Sequence, residues 1–179
     1  MFFGTKDLTD EILRRHLDAD FWVASASDHP PTKKQLLDVA ARFGCTLPKD
    51  FLVHSTGRLG GVYVEVKENV WPRSDAYQVG PFWSFLYGVF VYGLSPEIPE
   101  WMNLELAAAE FEQNAGHRRI PCLKVVGDAD LYVFDARGEI EQWDHETGEL
   151  TRFEGSFFEL LDREISALRQ RKNRKVAGG

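Results

Sequence analysis

The chain has 179 residues, 44% of them hydrophobic and 13% aromatic, enough apolar side chain to bury one substantial core and most simply one domain. Its 28 acidic residues outnumber 21 basic ones, a net charge of −7 that opposes nucleic acid and draws basic partners by raising their on-rates. The longest apolar run, from Pro81 to Leu94, is broken by Ser84 and Gly88 and falls short of the roughly 18 residues of a membrane span. The stretch from Met1 to Asp7 carries no basic region ahead of an apolar one, so no secretion signal is expected and a cytoplasmic location is.

Leu8 to Leu17 reads as an amphipathic helix with Leu8, Ile12, Leu13 and Leu17 turned inward. Asp18 to Pro31 reads as a loop, entered through Phe21 and Trp22. Residues 1–31 are therefore expected to form a helix-and-loop extension. Thr32 and Gln35 have capping-box spacing and open a helix whose Leu36, Val39, Ala40 and Phe43 share a face before Gly44 ends it. Leu47 to Phe51 starts a second, short helix, with Pro48 in its first turn, and Gly57 breaks it. Val62, Val64 and Val66 alternate with Tyr63, Glu65 and Lys67, the period of a half-buried strand. Trp71 to Trp83 reads as loop with embedded rings, and Gly88 to Gly93 as a strand buried on both faces. From Pro99, the residues Trp101, Leu104, Ala108 and Phe111 fall on one helical stripe that Gly116 closes.

Turn residues then recur at short intervals. Ile120 to Val126, Leu131 to Phe134, Glu139 to Asp144 and Glu149 to Phe153 read as strands separated by Gly127–Asp130, Asp135–Gly138 and His145–Gly148. This is a β-meander, and Ser156 with Glu159 caps a helix after it that carries Phe157, Leu161, Ile165 and Leu168 on one stripe. The expected fold is α+β: one domain over residues 1–179, with a mostly antiparallel central sheet and helices packed against it. The end of the chain holds Arg169, Arg171, Lys172, Arg174 and Lys175 with no acid, so 169–179 is expected to be a basic, frayed tail.

Candidate functional residues fall into two groups. Trp71, Arg73, Tyr77, Phe82 and Trp83 lie close together, and Trp, Tyr and Arg are the residue types that dominate interface energetics, with Trp71, Arg73 and Trp83 the candidates; the competing reading is that these rings pin a long loop to the sheet. Asp128, Asp130 and Glu141 are first of all turn formers and solvated strand residues, and beyond that an acidic surface for a basic partner. Their spacing does not fit a calcium loop, and no histidine pairs with a cysteine or histidine at ligand spacing, so no metal site is expected. Cys45 and Cys122 read as free thiols of a reducing compartment. Cys45 and His54 would make a nucleophile and base only if folding joined them. With no nucleophile elbow, phosphate loop or dinucleotide fingerprint, neither an enzyme nor a cofactor is expected.

Three patterns stand in order: a helix leading into Leu47-Pro-Lys-Asp-Phe51, the strand pair around Gly127-Asp-Ala-Asp-Leu-Tyr-Val-Phe-Asp135, and the helix opened by Ser156-Phe-Phe-Glu-Leu-Leu161. This arrangement, over about Thr32 to Leu168, resembles the SUKH superfamily, in particular the branch named for the yeast cell-wall assembly regulator. The resemblance implies an α+β fold and, for bacterial members, an immunity protein that neutralises a cognate toxin, often a nuclease, by stoichiometric binding. A regulatory scaffold with an endogenous partner is the alternative that eukaryotic relatives imply, and an unrecognised enzyme is the third. Many members carry Asn-Gly-Gly after the Leu-Pro helix where this chain has Thr56 to Gly61, so no binding role is carried over to that turn. The expected partner is a basic toxin domain, with no direct contact to nucleic acid or membrane.

Overall fold

The computed structural model describes residues 7–25, 28–75 and 80–178. Among these residues seven strands form one antiparallel sheet whose spatial order is the order of the sequence: β1 (Phe21–Ala24), β2 (Tyr63–Val66), β3 (Gly88–Val91), β4 (Ile120–Val125), β5 (Leu131–Phe134), β6 (Ile140–Trp143) and β7 (Leu150–Arg152). Among the described residues five α-helices accompany it: α1 (Leu8–His16), α2 (Lys33–Arg42), α3 (Lys49–Ser55), α4 (Leu104–Ala115) and α5 (Phe157–Ala177). The protein is therefore α+β, with a single continuous apolar core. The meander β4–β7 pairs strand to neighbour as the turn spacing predicts, with one register irregularity between Pro121 and Leu123. Gly127, Gly138 and Gly148 sit in its turns at φ of 83°, 80° and 72°, where a side chain would be strained.

The cross-strand pairs sort the side chains onto two faces. One face carries Phe21, Val64, Val66, Val89, Val91, Leu123, Tyr132, Phe134 and Ile140, and α5 lies across it. Phe157 at the start of α5 packs its ring against Phe51 of α3 and Phe134 of β5, and Lys172 near its end lies over the ring of Phe21 in β1. The stripe Phe157, Leu161, Ile165 and Leu168 is fully buried, as its spacing predicts. The opposite face carries Trp22, Ala24, Tyr63, Glu65, Phe90, Lys124, Leu131 and Trp143. There α4 covers the β4–β6 side, with Phe111 set edge-on against Trp143 at 5.2 Å between centroids. With twelve residues, α4 stops at the left-handed Gly116 and leaves the β1–β2 side open.

The structure corrects several sequence expectations. Phe21–Ala24 is a strand, not the entry to a loop. Four residues are too few to show a period, and pairing with β2 supplies the hydrogen bonds that make it one. Among the described residues of this segment, α1 thus gives Ile12 and Leu13 to the core and β1 joins the sheet. Leu8 opens α1 but is exposed, whereas Ile12 and Leu13 are buried. Pro48 is the N-cap of α3, one position ahead of its first turn. Trp101 does not join the α4 stripe: Asn103 accepts the amides of Glu105 and Leu106 and so starts the helix after it. Trp101 is left in a short 3-10 turn, Glu100–Met102. The basic residues from Arg169 to Lys175 lie within α5, which runs to Ala177.

A groove of three aromatic rings on the open side of the sheet

The residues expected at an interface are dispersed. Trp71 is only 1% exposed, and its Nε1 donates to the Ser84 carbonyl at 3.1 Å. A ring with no free surface packs a loop rather than greeting a partner, so Trp71 is withdrawn from the interface. Arg73 donates to the carbonyls of Trp71 and Val66, each at 2.6 Å, and its guanidinium lies 3.6 Å above the Tyr87 ring. It braces the same loop. Trp83 is 52% exposed, but it stands beside Lys175 and a hollow also lined by Arg171 and Arg174. Those surroundings would repel a basic partner. Tyr77, read with this group, lies outside the described residues.

The acidic trio is engaged locally. Asp128 accepts the Asp130 amide at 3.1 Å in the β4–β5 turn, and Asp130 accepts the backbone amide of His145 at 3.2 Å. Glu141 pairs with Arg119 at 2.6 Å. Asp130, Asp144 and His145 each place a potential ligand atom within 4.8 Å of the others. The Asp144 carboxylate already accepts the amides of Glu146 and Thr147, bonds that shape the turn after β6. Cys45 and His54 are held apart by different neighbours. The Cys45 thiol donates to the Phe43 and Arg118 carbonyls, while the His54 ring lies between Phe51 and Phe157 and hydrogen-bonds to Thr9. Both cysteines are buried free thiols, and burial raises both pKa values, away from the reactive thiolate.

A different constellation forms where α4 leaves the sheet uncovered. Trp22 of β1 and Trp101 of the 3-10 turn are 50% and 57% exposed, and each sits 5.9 Å from the Tyr63 ring of β2. Trp22 approaches from the β1 side. Trp101 approaches from the β3 side, where it also meets Phe90 at 5.2 Å. The interplanar angles to Tyr63 are 66° and 81°, so two rings stand as walls about a third. The groove measures about 400 Å³. Its charged lining residues are Glu65 and Glu97, with no lysine or arginine among the described residues.

Local chemistry holds this shape. The Tyr63 hydroxyl donates to Glu65 at 2.7 Å, fixing the central ring; desolvation, together with that hydrogen bond, pushes the phenol pKa up. Glu97 accepts the Ser95 hydroxyl and contacts His29, and these bonds, Ser95 first, lower its pKa and keep it ionised. Trp101 is placed by Gly93, which accepts the Leu104 amide at 2.7 Å and gives its own amide to the Met102 carbonyl at 3.0 Å. A Cβ on Gly93 would stand 2.2 Å from the Ile98 side chain, and one on Gly61 2.5 Å from it. Both glycines leave room for the Ile98 side chain, which precedes the 3-10 turn.

No family model, curated protein or solved structure matches the chain. No helix among the described residues is long and apolar enough to cross a membrane.

Proposed function

We propose that the protein acts by stoichiometric binding of a basic protein partner, and that the groove over β1 and β2 is where the partner docks. The observation that supports this most is the pair of half-exposed tryptophans, Trp22 and Trp101, flanking Tyr63 beside two carboxylates, with no lysine or arginine in the lining among the described residues. Tryptophan and tyrosine supply most of the energy of interfaces, because large rigid rings leave water at a small cost in conformational entropy. An isolated exposed apolar residue is ordinary, but two tryptophans converging on one concave, acidic spot are an interaction site. The resemblance to the SUKH superfamily supports the finer reading: a cytoplasmic immunity protein whose partner is a toxin, its active site covered by this surface. The excess of acidic residues favours a cationic partner through faster encounter.

The test is surface-exchange kinetics against the product of the neighbouring gene. Association is expected to slow steeply as salt rises, because charge steering is screened, while dissociation changes less. Trp22→Ala and Trp101→Ala are expected to speed dissociation about 30-fold or more, the loss of roughly 2 kcal/mol that a central ring carries. Trp71→Ala should act only through the fold. Tight binding that neither Trp22→Ala nor Trp101→Ala affects would move the interface elsewhere. No binding to the neighbouring-gene product at low salt would remove the toxin reading.

A further inference from the structure

Resting on that docking role, we infer that the Trp22–Tyr63–Trp101 groove receives a single arginine side chain of the partner, its guanidinium held against the rings and beside Glu65 and Glu97. The bland account of these rings is that they shield the part of the sheet that α4 does not reach. That account covers Phe90, which is buried at 5% exposure under Trp101. It does not explain why both tryptophans leave about half their surface in water on either side of a ring whose orientation a carboxylate fixes.

Three features point to a cation. Walls steeply inclined to the central ring let one guest meet more than one ring, and the negative face of each attracts positive charge. The small residues Ala24 and Gly61 leave space in the lining, where a larger side chain would occupy the groove. Among the described residues the charged side chains of the lining are both carboxylates, and each keeps lone pairs beyond those it now shares. Glu65 accepts from Tyr63 and lies 3.4 Å from Arg73, and Glu97 accepts from Ser95 and contacts His29. Arginine fits better than lysine. Its planar guanidinium stacks on a ring while its edge N–H groups point at carboxylates, and it sheds water more readily than an ammonium.

The experiment uses the full chain with ¹⁵N-labelled tryptophan and short uncharged Gly/Ser peptides carrying one central arginine, citrulline, lysine or norleucine. The indole N–H signals of Trp22 and Trp101 are expected to shift with the arginine peptide, while those of buried Trp71 stay put. Citrulline, the neutral near-isostere, is expected to bind about tenfold more weakly or worse. The Glu65→Gln/Glu97→Gln double variant should lose a similar factor for arginine and little for norleucine. A glutamine amide oxygen can still accept the Tyr63 hydroxyl, so an unchanged thermal midpoint and indole spectrum would separate lost charge from lost fold. Equal binding of arginine and citrulline, or strongest binding of norleucine, would overturn the inference and make the groove an apolar anchor site, leaving the docking role intact. Equal binding of lysine would overturn the choice of guanidinium. A silent spectrum with every peptide would overturn the inference too, while the Trp22→Ala and Trp101→Ala kinetics decide the docking role separately.

Discussion

Burial holds the His54 imidazole neutral, lowering its pKa from 6.5 to about 3. The ring is 3% exposed, wedged between Phe51 and Phe157, with Thr9 bonded at Nδ1 and no hydrogen-bond partner for Nε2 among the described residues. The consequence for stability follows from proton counts. Above pH 6.5 neither folded nor unfolded His54 is protonated and the group is silent. Between pH 6.5 and about 3 the unfolded chain takes up a proton that the folded one refuses, so stability falls with pH. The slope approaches about 1.4 kcal/mol per pH unit once the unfolded residue is fully protonated. Urea midpoints at pH 7, 6, 5 and 4 should therefore drop more steeply for the native chain than for His54→Leu. Parallel curves would show that His54 finds a proton without unfolding. The identity of this histidine as a core residue was not legible locally, because a short helix of seven residues hardly defines its inner face.

The cap and the apolar stripe of α5 carry predictions of different size. The Ser156 hydroxyl accepts the Glu159 amide at 3.3 Å, and the Glu159 carboxylate takes the Ser156 amide at 2.7 Å, the reciprocal pair their spacing announces. Ser156→Ala is expected to cost about 1 kcal/mol by chemical denaturation. The Phe157 amide is secured independently by Asp50 of α3 at 2.6 Å, so the helix start survives the substitution. Leu161, fully buried between α5 and the sheet, is expected to cost roughly 2–5 kcal/mol on replacement by alanine. If denaturation finds the two substitutions equally costly, the stripe packs less tightly than its burial implies. Capping boxes and turn glycines were readable because their partners lie three or four residues away. The strand β1 and the displacement of Trp101 from α4 were not, since one depends on pairing with a segment about forty residues distant and the other on which residue caps the helix.

At the scale of the molecule, the last helix is tied to the first strand by charge. Lys172 is 5% exposed, and its Nζ donates to Asp18 and Asp20 at 2.8 Å each while lying 5.3 Å from the Phe21 ring. The hydrogen bond from Lys172 lowers the pKa of Asp18. Lys172→Met keeps the apolar stem and removes the charge, and it is expected to cost roughly 1–3 kcal/mol, the range for a charged hydrogen bond in a partly desolvated site. Denaturation midpoints, with amide exchange read across Phe21–Ala24, should show the loss and a loosening of β1. Because Trp22 belongs to β1, the same variant should weaken the binding proposed for the groove without altering a groove residue. Unchanged exchange in β1 would mean that the β2 ladder alone holds the edge strand.

Sequence by itself determined whatever rests on neighbours along the chain. The meander, both capping boxes, the buried stripe of α5, the alternation in β2 and the α+β class all arise from periods and turn chemistry within a few residues of one another. Only the tertiary structure decided which rings stay wet. Trp71 and Trp22 each sit in short aperiodic segments and carry the same side chain, yet one fills the loop over Arg73 and the other stands half in solvent. The difference is set by coverage: α4 packs on β4, away from β1 and β2, and Trp101, left in its 3-10 turn, stands beside Tyr63 at the gap. Whether a ring packs or binds depends on what lies across the sheet from it, and no spacing along the chain records that.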